Sequence, residues 1–255
     1  MPQPYGAQYW KRTATGGPIL LGHRGVRRDG VSENTIEAFE LARREGADGV
    51  ELDVRLDSAG GLIVLHDTDL KRVTGGRDLR DAEEVPAGEM KTLTLAHGER
   101  VPSLDDALAW SRQQGMRINI ELKSDVSNKR QLVRGVASAV QTVSDAPERF
   151  VFSSFDPRLV LGMRLLLPEV ACAWLVHAKQ RFLRFAPGLR LTGAVGVHPQ
   201  AELLTWGSLT GYRRQAGFVG TWTVNDPARY RELACWGVDT IISDCPGVLR
   251  AALPR

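Results

Sequence analysis

Extended and helical segments alternate along almost the whole chain, and no other feature restricts its fold as strongly. Short apolar runs read as strands at Pro18–Leu21, Asp48–Leu56, Arg117–Lys123, Phe150–Ser154, Val170–Val176, Gly193–Val197, Phe218–Val224 and Asp239–Ser243. Helical periodicity falls between most of them, at 34–45, 103–114, 128–142, 157–167, 200–216, 226–236 and 246–252. A further extended run, Leu62–Leu65, follows the turn Ser58-Ala59-Gly60-Gly61 and reads as the return arm of a hairpin. Without it the chain has eight strands. Parallel strands need a long crossover, usually a helix, so this alternation builds a parallel sheet. Eight such units in 255 residues match the ~250 residues typical of a (β/α)8 barrel. The expected fold class is α/β, a TIM barrel. The competing arrangement, a doubly wound open sheet, usually carries a Gly-rich phosphate turn after its first strand. Here the first strand runs into Gly22-His23-Arg24-Gly25 instead.

The alternation lapses from Asp67 to Val101, where Gly75-Gly76, Pro86 and Gly88 interrupt a polar stretch. A small insertion after the second strand is expected there, and long irregular segments in compact domains tend to be functional. The chain 1–255 reads as one domain with its core at about 18–250. Asn34 with Glu37, and Ser103 with Asp106, have the spacing of a capping box. Asn34 and Ser103 are therefore expected to cap their helices.

Charged residues make up 25 % of the chain and the hydrophobic set 43 %, the balance of a soluble globular protein. The net charge is +3 without a dense Lys/Arg block, so no nucleic-acid partner is expected. No apolar run approaches the ~20 residues of a membrane helix, and the first seventeen residues lack the apolar region of a secretory signal. Cys172, Cys235 and Cys245 are scattered and odd in number, which fits a reducing compartment. A cytoplasmic location is expected. Nothing in the sequence speaks to oligomeric state.

Barrel enzymes carry their active sites at the C-terminal ends of the strands, and polar residues gather there. In the second strand, Val50, Leu52, Val54 and Leu56 alternate with Glu51, Asp53 and Arg55, so the two carboxylates share one face. Like charges on one face repel unless a cation compensates, and a hard divalent ion with oxygen ligands is the simplest one. The polar face of a half-solvated strand is the other reading of the same alternation. Asn119, Glu121 and Lys123 share a face in the third strand. His23 and Arg24 end the first strand, His66 and Asp67 the hairpin's return arm, and Ser153 and Ser154 the fourth strand. Trp222 and Asn225 lie near the end of the seventh strand, and His198 follows the sixth.

In chain order these motifs are His23-Arg24-Gly25, Glu33-Asn34-Thr35, Glu51-Leu52-Asp53, His66-Asp67 and Glu121-Leu122-Lys123. Ser153-Ser154-Phe155, Trp222-Thr223-Val224-Asn225 and Gly237-Val238-Asp239-Thr240-Ile241-Ile242-Ser243-Asp244 complete the set. The set resembles the signature of the glycerophosphodiester phosphodiesterase family over roughly 18–250. Ser32 stands where that family commonly has proline. The resemblance implies that Glu51, Asp53 and Glu121 bind a divalent metal, Mg²⁺ or Ca²⁺ with Mn²⁺ also compatible. An oxygen-only donor set suits these ions better than zinc. It implies that His23 and His66 form a general acid–base pair. Arg24 and Lys123 would hold the phosphate oxygens, Asn34 would touch the site, and Phe155 and Trp222 would lie beside the alcohol or glycerol moiety.

The activity so implied is hydrolysis of a small-molecule glycerophosphodiester to sn-glycerol 3-phosphate and an alcohol. Two alternatives stand beside it: a lysophospholipase D or phospholipase-type reaction at the same site, and a Schiff-base aldolase using Lys123 as nucleophile. His177 has no assigned role, and His198 is expected to be a hydrogen-bonded structural histidine. The stretch His177–Arg190 mixes basic and aromatic residues, as would a peripheral barrel helix packed inward or a lipid-touching surface.

Overall fold

The computed structural model describes residues 5–12, 16–180, 189 and 192–252. Its strands are β1 (Ile19–His23), β2 (Gly49–Leu56), β3 (Leu62–Val64), β4 (Arg117–Leu122), β5 (Phe150–Ser154), β6 (Ala171–Val176), β7 (Gly196–Pro199), β8 (Phe218–Thr221) and β9 (Thr240–Ser243). They run side by side in the order β1-β9-β8-β7-β6-β5-β4-β2-β3, and β1 also pairs with β2, which closes a ring of eight. All ring pairings are parallel, whereas β3 is antiparallel to β2 and lies outside the ring. The fold is the expected TIM barrel, with the hairpin arm as an added edge strand.

Among the described residues, the helices that follow the strands are α1 (Ile36–Arg44), α2 (Ala87–Met90), α3 (Leu104–Gln114), α4 (Lys129–Gln141), α5 (Ala146–Arg149), α6 (Pro157–Leu166), α7 (Trp206–Arg213), α8 (Pro227–Cys235) and α9 (Pro246–Ala251). The capping box of α3 forms as its spacing requires: the Ser103 side chain accepts from Asp106 N while the Asp106 carboxylate accepts from Ser103 N. At α1 the expectation fails. Thr35 is the cap, accepting from Ala38 N at 3.1 Å, and Asn34 lies one residue too early, in a left-handed conformation with φ 58°. Its side chain is thereby turned away from the helix and toward β2. The expected helix at 200–216 is a 3₁₀ turn, Ala201–Leu203, followed by α7. β7 starts later than its apolar run suggested and takes in His198. Most of the basic–aromatic stretch His177–Arg190 lies outside the described residues.

Strand alternation sorts side chains between two cores. Val50, Leu52, Val54, Ile118, Ile120, Leu122 and Val197 face outward and pack against the helices. Ile19, Leu21, Val151, Ala171, Ala173, Phe218 and Ile242 fill the barrel and pack with Ala7 and Trp10 of the 3₁₀ turn Tyr5–Trp10. That turn caps the N-terminal end of the barrel. Trp10 Nε1 donates to Phe150 O at the start of β5, and Gly6 N donates to Glu169 O just before β6. The opposite, C-terminal end is left as the open mouth.

The insertion after the hairpin builds a small core of its own from Ile63, Leu65, Leu70, Val73, Ala82, Val85, Met90, Leu95 and Val101. It sits beside the mouth through the loop that follows β3.

Candidate active site

Glu51, Asp53 and Arg55 are almost fully buried on the inner face of β2, as their alternation required. The register sets Glu51 opposite Asn119 and Asp53 opposite Glu121 on β4. One ligand oxygen from each of Glu51, Asp53 and Glu121 lies within 4.8 Å of the other two. That is about twice the 2.3–2.6 Å bond of a Ca²⁺–oxygen pair, so a single ion can touch all three.

Two cations face this trio. Lys123 Nζ lies 3.2 Å from Asp53 Oδ1 and 3.1 Å from Glu121 Oε1, and Arg24 Nε lies 3.2 Å from Asp53 Oδ2. Burial would raise Asp53, but Lys123 and Arg24 outweigh it and hold this carboxyl below its ordinary range. Burial together with the charges of Asp53 and Glu121 pushes Glu51 well up, against a smaller opposing effect of Arg24. Glu121 is pushed up by burial, with Lys123 as a partial offset. Three carboxylates against two cations leave negative charge without a partner, and the donors are all oxygen. The residues fit a hard divalent cation.

The same pairing fixes the state of Lys123. Burial alone would favour the free amine, but Glu121 and Asp53 override it and raise the ammonium's pKa. A Schiff base needs the free amine, which this pairing disfavours.

Both histidines present one ring nitrogen to an aspartate. His23 Nδ1 lies 2.7 Å from Asp244 Oδ1, and His66 Nδ1 lies 2.7 Å from Asp67 Oδ1. Both rings line the mouth, and Nε2 of His23 is 3.9 Å from Glu51 Oε2. Such carboxylate partners fix ring orientation and tautomer. Burial lowers His66, as do Lys123 and Arg24, while Asp53 and Asp67 act in the opposite sense.

The backbone at the end of β1 is shaped for this site. Arg24 adopts φ 53° and Gly25 φ 85°, and a Cβ at Gly25 would meet the Ala38 backbone at 2.6 Å, so glycine alone fits there. The bend aims Arg24 N at Glu51 Oε2 at 3.1 Å and brings Asn34 N to Arg24 O at 2.9 Å. Asn34 Nδ2 in turn donates to Asp53 Oδ2 at 2.9 Å. Two non-glycine residues at positive φ cost about 1–3 kcal/mol each, and such strain collects at functional sites.

A cavity of about 230 Å³ opens at the mouth, lined by His23, Arg24, Glu51, His66, Asn119, Glu121, Lys123, Phe155, Leu175, His177, Trp222 and Ile242. Of the residues given a metal, acid–base or substrate role from the sequence, all line it except Asp53 and Asn34, which bond to each other behind it. Phe155 and Trp222 meet edge-on at 5.5 Å, and His177, unassigned in the sequence, completes this aromatic wall at 5.9 Å from Trp222. His198 lies in the barrel instead. It is fully buried against Phe218, burial drives its pKa down to about 3, and neither ring nitrogen has a hydrogen-bond partner among the described residues. It is structural, but not hydrogen-bonded as expected.

Three contributors had no role assigned from the sequence. Asp244, the partner of His23, follows β9; barrel closure pairs Gly22 with Ser243, so the next residues must be neighbours. That inference was open to anyone who closed the ring on paper. Glu33 stands in the Glu33-Asn34-Thr35 motif, which points to it without giving its partners, and Arg72 belongs to the insertion, where no periodicity points to it. Glu33 accepts from Arg24 Nη1 and Arg72 Nη2, each at 2.7 Å, and from Arg27 Nε at 2.9 Å. Burial opposes ionisation of Glu33, yet Arg72 and Arg24 bring its pKa down to about 2.

A closed parallel barrel with an acidic trio that could hold a metal ion, two aspartate-held imidazoles and two cations at its C-terminal mouth has the make-up of a barrel enzyme site. The glycerophosphoryl diester phosphodiesterase family matches residues 23–248. A glycerophosphodiester phosphodiesterase of Caldanaerobacter subterraneus subsp. tengcongensis is 28 % identical over 91 % of this chain and 96 % of its own. A phosphodiesterase of Oleispira antarctica, solved with the product sn-glycerol-3-phosphate, superposes with a TM-score of 0.80 at 25 % identity, covering 93 % of this chain and 97 % of that one. A solved chain from Silicibacter pomeroyi DSS-3 shares the fold with a TM-score of 0.83 at 24 % identity over 98 % of this chain and 97 % of its own. The chain belongs to the glycerophosphoryl diester phosphodiesterase family and is a phosphoric diester hydrolase. Among the described residues no helix is long and apolar enough to cross a membrane.

Proposed function

We propose that this enzyme hydrolyses glycerophosphodiesters to sn-glycerol 3-phosphate and an alcohol, with a divalent cation held by Glu51, Asp53 and Glu121. The observation that carries the reading is the convergence of these three carboxylates, one oxygen of each within 4.8 Å of the others, beside a cavity that Glu51, Glu121 and both histidines line. A cation bound there supplies charge neutralisation for the phosphate and acidifies a nearby hydroxyl. Mg²⁺ and Ca²⁺ suit the donor set best, with Mn²⁺ next.

The chain's own residues do the rest. Arg24 and Lys123 hold the nonbridging phosphate oxygens and offset charge growing there. One imidazole accepts the proton of the nucleophile, either water or the substrate's 2-hydroxyl; the latter closes a cyclic phosphate that water then opens to the monoester. The other donates a proton to the departing oxygen. Asp244 and Asp67 hold both rings for this exchange, and a positioned acid or base contributes about 10²–10⁴-fold. Asn34 steadies Asp53. Phe155 and Trp222 flank the alcohol or glycerol moiety, and their wall excludes water from one side of the cavity.

The product seen with the Oleispira antarctica phosphodiesterase supports glycerol 3-phosphate as the retained fragment. The barrel carries the site and the insertion braces the residues behind it, which supports one catalytic domain over 1–255. The free thiols Cys172, Cys235 and Cys245 are consistent with work in the reducing cytoplasm. The test is release of glycerol 3-phosphate from glycerophosphocholine, with lysophosphatidylcholine as competitor substrate, in Mg²⁺ or Ca²⁺. Turnover abolished by chelator and by His23→Ala is expected. Full activity under either condition overturns the mechanism, and faster turnover of lysophosphatidylcholine overturns the substrate assignment.

A further inference from the structure

The insertion reaches the site through one guanidinium. Arg72 Nε lies 2.6 Å from Asp67 Oδ2, and its Nη2 lies 2.7 Å from Glu33 Oε1. The other oxygen of Asp67 holds His66 Nδ1 at 2.7 Å. Glu33 Oε1 also takes Arg24 Nη1 at 2.7 Å. Its second oxygen takes Arg27 Nε at 2.9 Å, and Arg27 Nη1 continues to Asp244, the partner of His23, at 3.6 Å. Glu33 thus joins Arg24 to the carboxylate that holds the His66 ring, and Arg72 is its link to the insertion; the partner of His23 is held chiefly by Asn225 Nδ2, at 2.7 Å.

A second contact ties the same loop to the insertion. Ser32 donates from its N and its Oγ to the two oxygens of Glu99 at 2.9 and 2.7 Å. Proline at this position would provide neither donor. The loop bearing Ser32, Glu33 and Asn34 is therefore clasped from both sides by insertion residues.

We propose that Arg72 is a positioning residue for His66 and Arg24, by which the insertion sets the geometry of the site without touching it. The proposal rests on the reading of His66 as one of the two proton-transferring groups. A carboxylate that bonds only one imidazole turns with it. A forked guanidinium anchored at Glu33 fixes the plane of Asp67, and with it the ring. Partners of this outer kind typically contribute about 10–100-fold to activity.

The rival explanation is that Arg72 merely holds the insertion together. Arg77 serves to separate the two. It donates from Nε to Thr74 O at 2.8 Å and from Nη2 to Leu95 O at 2.7 Å, so it braces the insertion from within and reaches neither His66 nor Glu33.

The experiment compares Arg72→Ala, Arg72→Lys and Arg77→Ala with the unaltered enzyme. It reads kcat and KM on glycerophosphocholine, thermal unfolding, and the ¹⁵N resonances of the His66 ring. Arg72→Ala should lower kcat by about 10–100-fold with KM changed by less than about threefold, and should shift the His66 Nδ1 resonance as its fixed tautomer is lost. Added guanidinium should restore part of the rate. Arg72→Lys keeps the charge without the fork; it should fold and still lose most of the rate. Arg77→Ala should lower the unfolding temperature and leave the His66 resonances in place. Unchanged kcat and His66 signals in Arg72→Ala, or the same kcat loss in Arg77→Ala, would overturn the proposal. Should the unaltered enzyme not turn over the diester, the functional reading fails, while the His66 resonances still decide the role of Arg72.

Discussion

Lys123→Met removes the ammonium that lies between Asp53 and Glu121 and leaves a side chain of similar length. In the unaltered protein the Lys123 side chain is 11 % exposed, and those of Asp53 and Glu121 are 1 % and 12 % exposed. The substitution therefore strands buried carboxylates, and breaking such a pair costs about 3–5 kcal/mol. In a chain of this size each kcal/mol moves the unfolding temperature by about 2–4 °C, so a fall of about 6–20 °C is expected in chelator. The loss depends on pH. Without Lys123 the folded-state pKa of the stranded carboxyls rises above the unfolded value. The penalty is then small where they are protonated in both states and grows as pH rises through the shifted values. A divalent cation reverses the effect, because it takes the place the ammonium left. At a hundredfold excess over its dissociation constant it adds about 2.7 kcal/mol. Thermal unfolding at pH 5 and pH 8, with chelator or with Ca²⁺, measures all of this. Ca²⁺ should raise the variant's unfolding temperature by more than that of the unaltered protein. Equal unfolding temperatures in chelator at pH 8, or no response to Ca²⁺ in either protein, would refute the electrostatic reasoning.

Cation affinity should itself increase with pH. Glu51 and Glu121 have pKa values above the ordinary glutamate value of 4.5, so below those values protons compete with the ion for the same oxygens. Calorimetric titrations with Ca²⁺ from pH 5 to pH 8 should show tightening, and a flat profile would contradict the raised carboxyls. At the other end of the barrel, Trp10→Ala should cost about 3–5 kcal/mol in denaturant unfolding, because it empties the plug beneath the inner core. Its KM should stay close to that of the unaltered enzyme, since the plug lies at the end of the barrel opposite the mouth.

Much of this molecule was legible before any coordinates. Period-two alternation placed Glu51 and Asp53 on one face of β2 and Glu121 on the matching face of β4, and pairing the strands in register made the trio unavoidable. The eight-fold count of strands followed from the same pattern. What stayed hidden depended on a single backbone angle or on contacts between distant segments. Asn34 carries a capping residue's chemistry, yet its left-handed φ passes that task to Thr35 and turns the amide to Asp53. The start of β7 was obscured because Gly193, Ala194 and Val195 are as apolar as a strand. Arg72 and Glu99 belong to an irregular insertion whose path has no periodicity to read, so their bonds to Glu33 and Ser32 emerge only from the folded chain.

The central claim is that Glu51, Asp53 and Glu121 together hold one divalent cation. Mn²⁺ titration followed by electron paramagnetic resonance, on the unaltered protein and on Glu121→Gln, tests it without recourse to turnover. One bound ion per chain, displaced by Ca²⁺ and lost or greatly weakened in the variant, is expected. Absence of binding to the unaltered protein, or equal binding by both, would contradict it.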